Sequence, residues 1–385
     1  MKVLWLAPFP YIDGTHSRPA PWVFTLAKAL VASGIELTIL NYNNKIENEI
    51  EKKEFEGIDL IYIKTPKLKK DLLTLYQVRI NIVKNYLETI IEDYDLLHIH
   101  GSEHQYEAMA LDLKIPKLIS IQGIISEVVK VIPIISNWKI FIEWKISSLY
   151  EKKYLPKYKY FSCRTHWDTD YIKSINPEAE IYNIWEMIRE DFSENHFSNE
   201  KLNILFVGGK SSIKGLTELL QAYDSSLQKK GLKLIILGRC EIEDIEKIIK
   251  QYNLWTIDIN NIDCRGLQND MNGMIKAYEE SFCLVHPSYI DNSPNSVCEA
   301  QLSGLPVIAT DVGGVASLIE NEETGLLIGR GSTDIELAVD KLLKNDELRK
   351  KISEKSRLVA KKRHDPDMIL KKTLNMYDDI VNDKS

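Results

Sequence analysis

His286-Pro287-Ser288-Tyr289-Ile290-Asp291-Asn292-Ser293-Pro294-Asn295-Ser296-Val297-Cys298-Glu299-Ala300 runs through Gly304 into Leu305-Pro306-Val307-Ile308-Ala309-Thr310-Asp311-Val312-Gly313-Gly314. The apolar residues just before it, 282–285, read as a buried strand. Pro287, Asn292 and Pro294 then break the chain into a loop. Asn295 or Ser296 is placed to cap a helix that carries Val297, Ala300, Gln301 and Leu302. Gly304 ends that helix, and 306–309 form the next strand. The pattern is strand, loop, helix, strand. It sets Asp291 in the loop and Glu299 about one turn into the helix, both toward the crevice at the strand ends.

The same alternation extends in both directions. Segments 3–7, 35–40, 60–63, 96–99, 117–121 and 160–163 read as short apolar strands, with helical patterns between most of them, including 22–31. A second series begins at 203–207 and continues through 233–237, 282–285 and 307–309, with a helix from 215 to 222. Strands alternating with helices imply parallel sheets covered on both faces, with ligands beyond the carboxyl ends of the strands. The polar stretch 190–201 reads as a linker. The expected division is a first Rossmann-like domain at 1–190, a second at 191–364, and a closing helix at 365–385 with Met368, Ile369, Leu374 and Met376 as its apolar positions.

Composition narrows the function classes. A chain of 385 residues with 44% hydrophobic content supports two ordinary domain cores. A net charge of −7 argues against a general nucleic-acid binder. The five cysteines are scattered singly without a CxxC pair, which fits reduced thiols in a cytoplasm and disfavours a zinc or redox motif. No apolar stretch has the ~20 residues of a membrane span, and Met1-Lys2 opens directly into a strand rather than a signal peptide.

Helix N–H groups beside Asp291 favour an anion, and a carboxylate among them suits a ligand rich in hydroxyls. A sugar joined to a diphosphate offers both. Gly208-Gly209-Lys210-Ser211-Ser212-Ile213-Lys214-Gly215, after the first strand of the second series, adds a backbone that approaches a ligand closely and two ammonium groups. It is not G-x-G-x-x-G, so a dehydrogenase reading has little support.

On these residues the chain resembles the family 4 (group 1) retaining nucleotide-sugar glycosyltransferases. Asp291 and Glu299 stand at that family's E-x7-E motif, followed by a similar E-A-x-x-x-G-x-P-V-I-A-T run, with Asp291 one methylene shorter than the usual Glu. The resemblance implies an α/β chain of GT-B architecture, two Rossmann-like doubly wound domains facing a central cleft, with the tail packed back across the first. It implies that Asp291 contacts the donor hexose and Glu299 the nucleotide ribose. Loop groups of Asn292, Ser293, Asn295 and Ser296 would hold sugar and phosphate. Lys214 matches the lysine implied to neutralise the leaving diphosphate. The family's arginine is replaced by Gly209, with Lys210 or Arg239 as candidate substitutes, and Gly208 completes the turn. Arg265 and Leu267 lie where backbone contacts to the nucleobase are usual.

In the first domain His100 resembles a strand-end histidine facing the cleft, with His98 on the same side of its strand. Gln122 stands where many members carry a histidine near the reacting carbon, but an amide does not titrate. The loop 14–21 lacks the family's paired glycines; His16 and Arg18 there, with Arg164, are the acceptor-binding candidates. Arg164 also reads as a surface residue or an ion pair with Asp168, and Thr165 or Asp168 as a helix cap. His98, His100 and His104 form no metal set, so neither metal nor cofactor is expected.

The function so implied is retaining transfer of a hexose from a nucleoside-diphosphate sugar to a hydroxyl of a polysaccharide or glycolipid. A non-catalytic sugar-nucleotide-binding subunit and a sugar-nucleotide epimerase are the alternatives. Residues 124–160 mix Trp138 and Trp144 with lysines. They read either as a core helix with a solvated charged face or as a patch for a membrane surface, with Lys64, Lys67, Lys69 and Lys70 as a second basic cluster. The second reading makes the protein peripheral at the inner face of the cell membrane.

Overall fold

The computed structural model describes residues 1–12, 21–194, 201–268 and 270–383. They form two compact units: Met1–Ile188 with His364–Ser385, and Arg189–Arg363.

The first unit is built on a sheet of eight strands: β1 (Lys2–Leu6), β2 (Glu36–Asn43), β3 (Ile50–Phe55), β4 (Ile58–Lys64), β5 (Leu96–His100), β6 (Lys117–Ser120), β7 (Tyr160–Cys163) and β8 (Glu180–Asn183). Their order is β3-β4-β2-β1-β5-β6-β7-β8, and all neighbours are parallel except β3 and β4. Alternation along β1 sends Leu4 and Leu6 into one apolar cluster and Val3 and Trp5 into the other. The chain builds outward from β1 in one direction and, from β5, in the other, so the topological switch lies between β1 and β5. The helix Pro366–Asn382 belongs to this unit. Its Ile369, Met376, Tyr377 and Ile380 are buried in the Trp5 cluster, while Met368, expected to pack, is half-exposed.

The second unit holds β9 (Asn203–Val207), β10 (Lys233–Leu237), β11 (Ile262–Gly266), β12 (Ser281–His286), β13 (Val307–Thr310) and β14 (Leu326–Ile328). Their order is β11-β10-β9-β12-β13-β14, parallel throughout. The switch point is therefore between β9 and β12, the strands that precede the Gly208-Gly209 turn and the Asp291 loop. Ligands of open parallel sheets bind beyond the strand ends at such a switch.

Four strands escaped the sequence reading: β3, β8, β11 and β14. All lie at or next to a sheet edge or are only three residues long. β3 (IEKKEF) alternates exposed and half-buried positions with almost no apolar signal. The linker expected at 190–201 begins with a short helix, Asp191–Glu194, and 195–200 lie outside the described residues.

Candidate functional site

The two loops beyond β9 and β12 are stitched together by backbone. Tyr289 N donates to Ile213 O (2.8 Å). Gly215 has φ +75°, and a Cβ there would lie 2.0 Å from the Pro287 carbonyl oxygen. The loop after β12 is pinned a second time from below: Gly314 N donates to Asp291 O (2.9 Å), and Gly313, at φ +54°, would put a Cβ 2.1 Å from that same oxygen. Only glycine meets both the backbone angle and the space there.

So held, Asp291 meets Lys214 Nζ at 2.5 Å and His286 Nε2 at 3.1 Å, and its other oxygen accepts from Asn292 N (3.1 Å). Burial alone would raise the Asp291 carboxyl, but the Lys214 ammonium and the His286 hydrogen bond outweigh it and hold the carboxyl well below the usual range. The His286 ring is pushed down from its ordinary value by burial, with Asp291 opposing. The pair is not sealed: 26% of the Lys214 side chain and 18% of the Asp291 side chain stay exposed.

The helix Asn295–Ser303 starts beside this pair, although neither Asn295 nor Ser296 caps it. Pro294 occupies the cap position, which a ring-fixed φ suits, and makes no side-chain bond. Val297 N and Cys298 N take the Pro294 carbonyl (3.0 and 3.2 Å). The earlier amides have no partner within the helix and are free for an anion. The buried hydroxyls of Ser288 and Ser293 have no hydrogen-bond partner among the described residues. Gly304 ends the helix in the left-handed region, as read from sequence.

Glu299 is more enclosed than expected. One oxygen is bonded by Arg189 and the other by the Tyr278 hydroxyl (2.9 Å), and its side chain is 5% exposed. Burial raises the carboxyl, and Arg189 and Tyr278 partly offset that. Each oxygen keeps a second lone pair for a ribose hydroxyl.

Several predicted contacts are spoken for elsewhere. Lys210 turns to Asp244 of the helix Ile242–Tyr252 (2.9 Å) instead of joining Lys214. The Arg265 guanidinium is held between Asp263 (2.7 Å) and Glu280, leaving backbone and the exposed Leu267 at that edge. Gly208 packs on Lys214: a Cβ would lie 2.9 Å from the Lys214 Cβ. Gly209, at φ +55°, would put a Cβ 2.6 Å from Arg239 N, so a side chain there, arginine included, is strained and crowded. Arg239 itself is exposed and its side chain makes no bond among the described residues.

The first unit presents a different set beyond β5 and β6. His98 and His100 stack at 4.0 Å between centroids, as strand alternation requires. His98 Nδ1 lies 2.7 Å from the Tyr377 hydroxyl, which accepts from Trp5 Nε1, and His98 Nε2 lies 2.6 Å from Ser120 Oγ. Burial lowers His98 to about 3 and His100 well below its usual value. His98 is thus structural, whereas the buried His100 Nε2 has no partner among the described residues. Arg164 pairs with Glu186 (2.7 Å) and donates to Gln122, so of the readings left open its ion pair is with Glu186 and not Asp168. Asp168 instead closes a reciprocal box with Thr165, the cap of the helix His166–Ile175. His16 and Arg18 lie outside the described residues, as does most of their loop.

Residues 187–359, nearly the whole second unit, match the family model described as glycosyl transferases group 1. The second unit thus carries the likeness to the group 1 glycosyltransferases. The chain spans about half the length of the first two curated relatives that it matches. One is an uncharacterized glycosyltransferase of Methanocaldococcus jannaschii, 28% identical over 207 residues (53% of this chain, 52% of that one). The other is the capsular polysaccharide biosynthesis glycosyltransferase CapM of Staphylococcus aureus, 26% identical over 188 residues (48% of each). A further uncharacterized M. jannaschii glycosyltransferase aligns at 26% identity over 94% of both chains. Sucrose-phosphate synthase from Thermosynechococcus elongatus superposes with a TM-score of 0.79 at 16% identity, covering 98% of each chain. Anabaena HepE, solved in complex with UDP and glucose, superposes with a TM-score of 0.66 at 13% identity, covering 98% of this chain and 100% of its own. These neighbours establish the GT-B fold of two Rossmann-like units. Arg189 and Tyr278 of the second unit were missed in the sequence: a lone arginine before the linker and a tyrosine in a helical run carry no signal of their own.

Proposed function

We propose that the protein is a retaining glycosyltransferase. It moves a hexose from a nucleoside-diphosphate sugar to a hydroxyl of a polysaccharide or glycolipid acceptor. The observation that supports this most is the part-exposed Lys214–Asp291 pair at the tip of the Asn295–Ser303 helix, with the buried Glu299 eight residues further on.

The chemistry follows from charge. The bond between the anomeric carbon and the phosphate oxygen breaks through an oxocarbenium-like state, and negative charge grows on the diphosphate. Lys214 and the open helix amides stabilise that charge in a fixed geometry. They fill the role a cation would otherwise serve, so the reading requires no metal. Asp291, ionised throughout the working pH range, accepts hydrogen bonds from the sugar, and Glu299 from the ribose. Retention, taken from the family resemblance, means attack on the face the phosphate leaves, with the acceptor's proton passing to the departing phosphate oxygen. UDP bound to HepE and the capsular role in the name of CapM support a nucleoside-diphosphate donor and a glycan acceptor.

A thermal-shift panel of nucleotide sugars tests the reading. The matching donor raises the melting temperature, Glu299→Gln removes most of that rise, and chelator leaves slow donor hydrolysis intact. Stabilisation by no nucleotide sugar overturns it. Binding without hydrolysis or transfer to any glycan identifies a sugar-nucleotide-binding subunit instead, and donor conversion without acceptor identifies an epimerase.

A further inference from the structure

The helix Ile134–Tyr154 shows two unlike sides. Ser147, Ser148, Tyr150 and Glu151 are buried. Glu151 accepts from Ser102 Oγ and from the amides of Ile125 and Ser126 (2.8, 2.8 and 2.9 Å). The other side is a stripe at helical spacing, Trp138, Ile142, Lys145 and Leu149, every one exposed. Trp138 is 56% and Leu149 58% in solvent, and Lys139 Nζ lies over the Trp138 ring at 5.5 Å.

A second element joins this stripe. In the short helix Leu68–Leu73 and the turn after it, Leu68, Leu73 and Leu75 face water, Leu73 at 85%. The turn passes through two consecutive left-handed residues, Leu75 (φ 48°) and Tyr76 (φ 66°). That conformation is unfavourable for bulky side chains and persists only where the surroundings fix it. Here Tyr150 of the long helix fixes it: its hydroxyl donates to Leu75 O (2.6 Å) and is bonded in turn by Gln77. Tyr76 is buried, so the fold spends backbone strain in a place that leaves Leu73 and Leu75 outside.

Charge says what covers this face. The chain as a whole is at −7, yet Lys67, Lys69, Lys70, Lys139 and Lys145 are exposed here. Two of the nearby acids are withdrawn, Asp71 buried on Arg79 (2.8 Å) and Glu151 as the buried acceptor described above, and the half-buried Glu143 leaves the face with a surplus of positive charge. Leucine and tryptophan framed by lysines fit headgroup depth on an anionic bilayer, with the stems of the lysines reaching back to phosphate. Among the described residues no helix is long and apolar enough to cross a membrane.

We propose that the first unit rests on an anionic lipid surface through this combined face, with Trp138, Ile142, Leu149, Leu73 and Leu75 entering the headgroup layer and the five lysines meeting lipid phosphate. The contact extends the 124–160 patch read from the sequence by the leucines of 68–75, which hydropathy alone did not single out. It stands independently of the donor chemistry proposed for the second unit.

Co-sedimentation of the full chain with vesicles tests it, comparing phosphatidylglycerol mixed into phosphatidylcholine with phosphatidylcholine alone. The chain binds the anionic vesicles and is released by salt. The double variant Leu73→Glu/Leu149→Glu loses at least about tenfold in binding, and neutralising Lys67, Lys69 and Lys70 to Gln loses about a hundredfold at low salt. Trp255→Glu, at an exposed apolar residue of the second unit, binds as the parent does. Unchanged melting temperatures and donor shifts in these variants keep folding and donor binding out of the comparison. Three results overturn the proposal: no binding to anionic vesicles, equal loss with Trp255→Glu, or a solution dimer that Leu73→Glu/Leu149→Glu dissociates, which would assign the face to a second copy of the chain.

Discussion

Beyond β9 and β12 an ammonium and a carboxylate meet with part of each still in solvent, whereas beyond β5 and β6 two stacked neutral imidazoles and a closed arginine–glutamate pair are shut away. The same parallel-sheet geometry therefore ends in two kinds of recognition. The second unit offers fixed charge and open helix amides, which select for an anion whatever is attached to it. The first unit offers uncharged imidazole rings, the Gln122 amide and the Glu103 carboxyl, which burial raises to about 7. Such groups select by shape and hydrogen bonding. Under the proposed function, a donor diphosphate would meet the first kind of site and an acceptor the second.

The sharpest way to break the contrast is to remove charge from inside the second unit. Arg189→Ala leaves Glu299 buried with only Tyr278, and about 3 kcal/mol of stability is lost, read as a lower denaturation midpoint for that unit. If the midpoint does not move, Glu299 is not held as an ion. Next in size is Asp291→Ala, expected to lower turnover about a hundredfold or more while the nucleotide still raises the melting temperature. Retained turnover would remove Asp291 from the reacting site. Gly313→Ala tests the backbone that carries it: about 2 kcal/mol is lost, against about 1 kcal/mol for Gly231→Ala, where the left-handed angle is the same kind but nothing crowds the Cβ. Equal losses at the two glycines would show that the clamp on Asp291 is slack.

Titration reports on the buried histidines, His98 and His100 in the first unit and His286 in the second. His98 has a folded pKa of about 3, below its unfolded value, so between 6.5 and 3 the unfolded chain takes up a proton that the folded chain refuses. Stability then falls with falling pH, by about 1.4 kcal/mol per pH unit for a fully refused proton. Asp291, also depressed, contributes stability that is present above its unfolded pKa and is lost only as pH falls below the ordinary carboxylate range. Urea midpoints measured from pH 7 to 5 should therefore decline through the histidines, and His98→Gln should flatten the decline. A slope unchanged by that substitution would mean His98 carries its proton when folded. Smallest is Lys210→Ala, with no more than about a twofold change in donor affinity, since the Lys210 side chain is exposed and turned to Asp244.

Legibility followed burial and local chemistry. The central parallel strands were readable because both faces are covered, so their runs are buried throughout and mostly apolar, as in LLHIH and SFCLVH. The edge strands β3 and β11 hid because one side or one edge meets water, and their residues are charged. Within the site, Asp291, Lys214 and Glu299 were found through local spacing between a strand and a helix tip. What stayed hidden was tertiary: Arg189 lies 110 residues from Glu299, and Glu186 meets Arg164 from a segment with no pattern. The run to Gly313-Gly314 was noted, but its purpose shows only when the Asp291 carbonyl is seen against it.

The helix Pro366–Asn382 fits into the first sheet through Tyr377, yet it is made after all of residues 189–363. During synthesis the second unit is complete in sequence, and able to fold, while the first still lacks the piece that covers Trp5. The second unit thus matures ahead of the first, and a nascent chain stalled near residue 363 would carry a finished second unit and an unclosed first one.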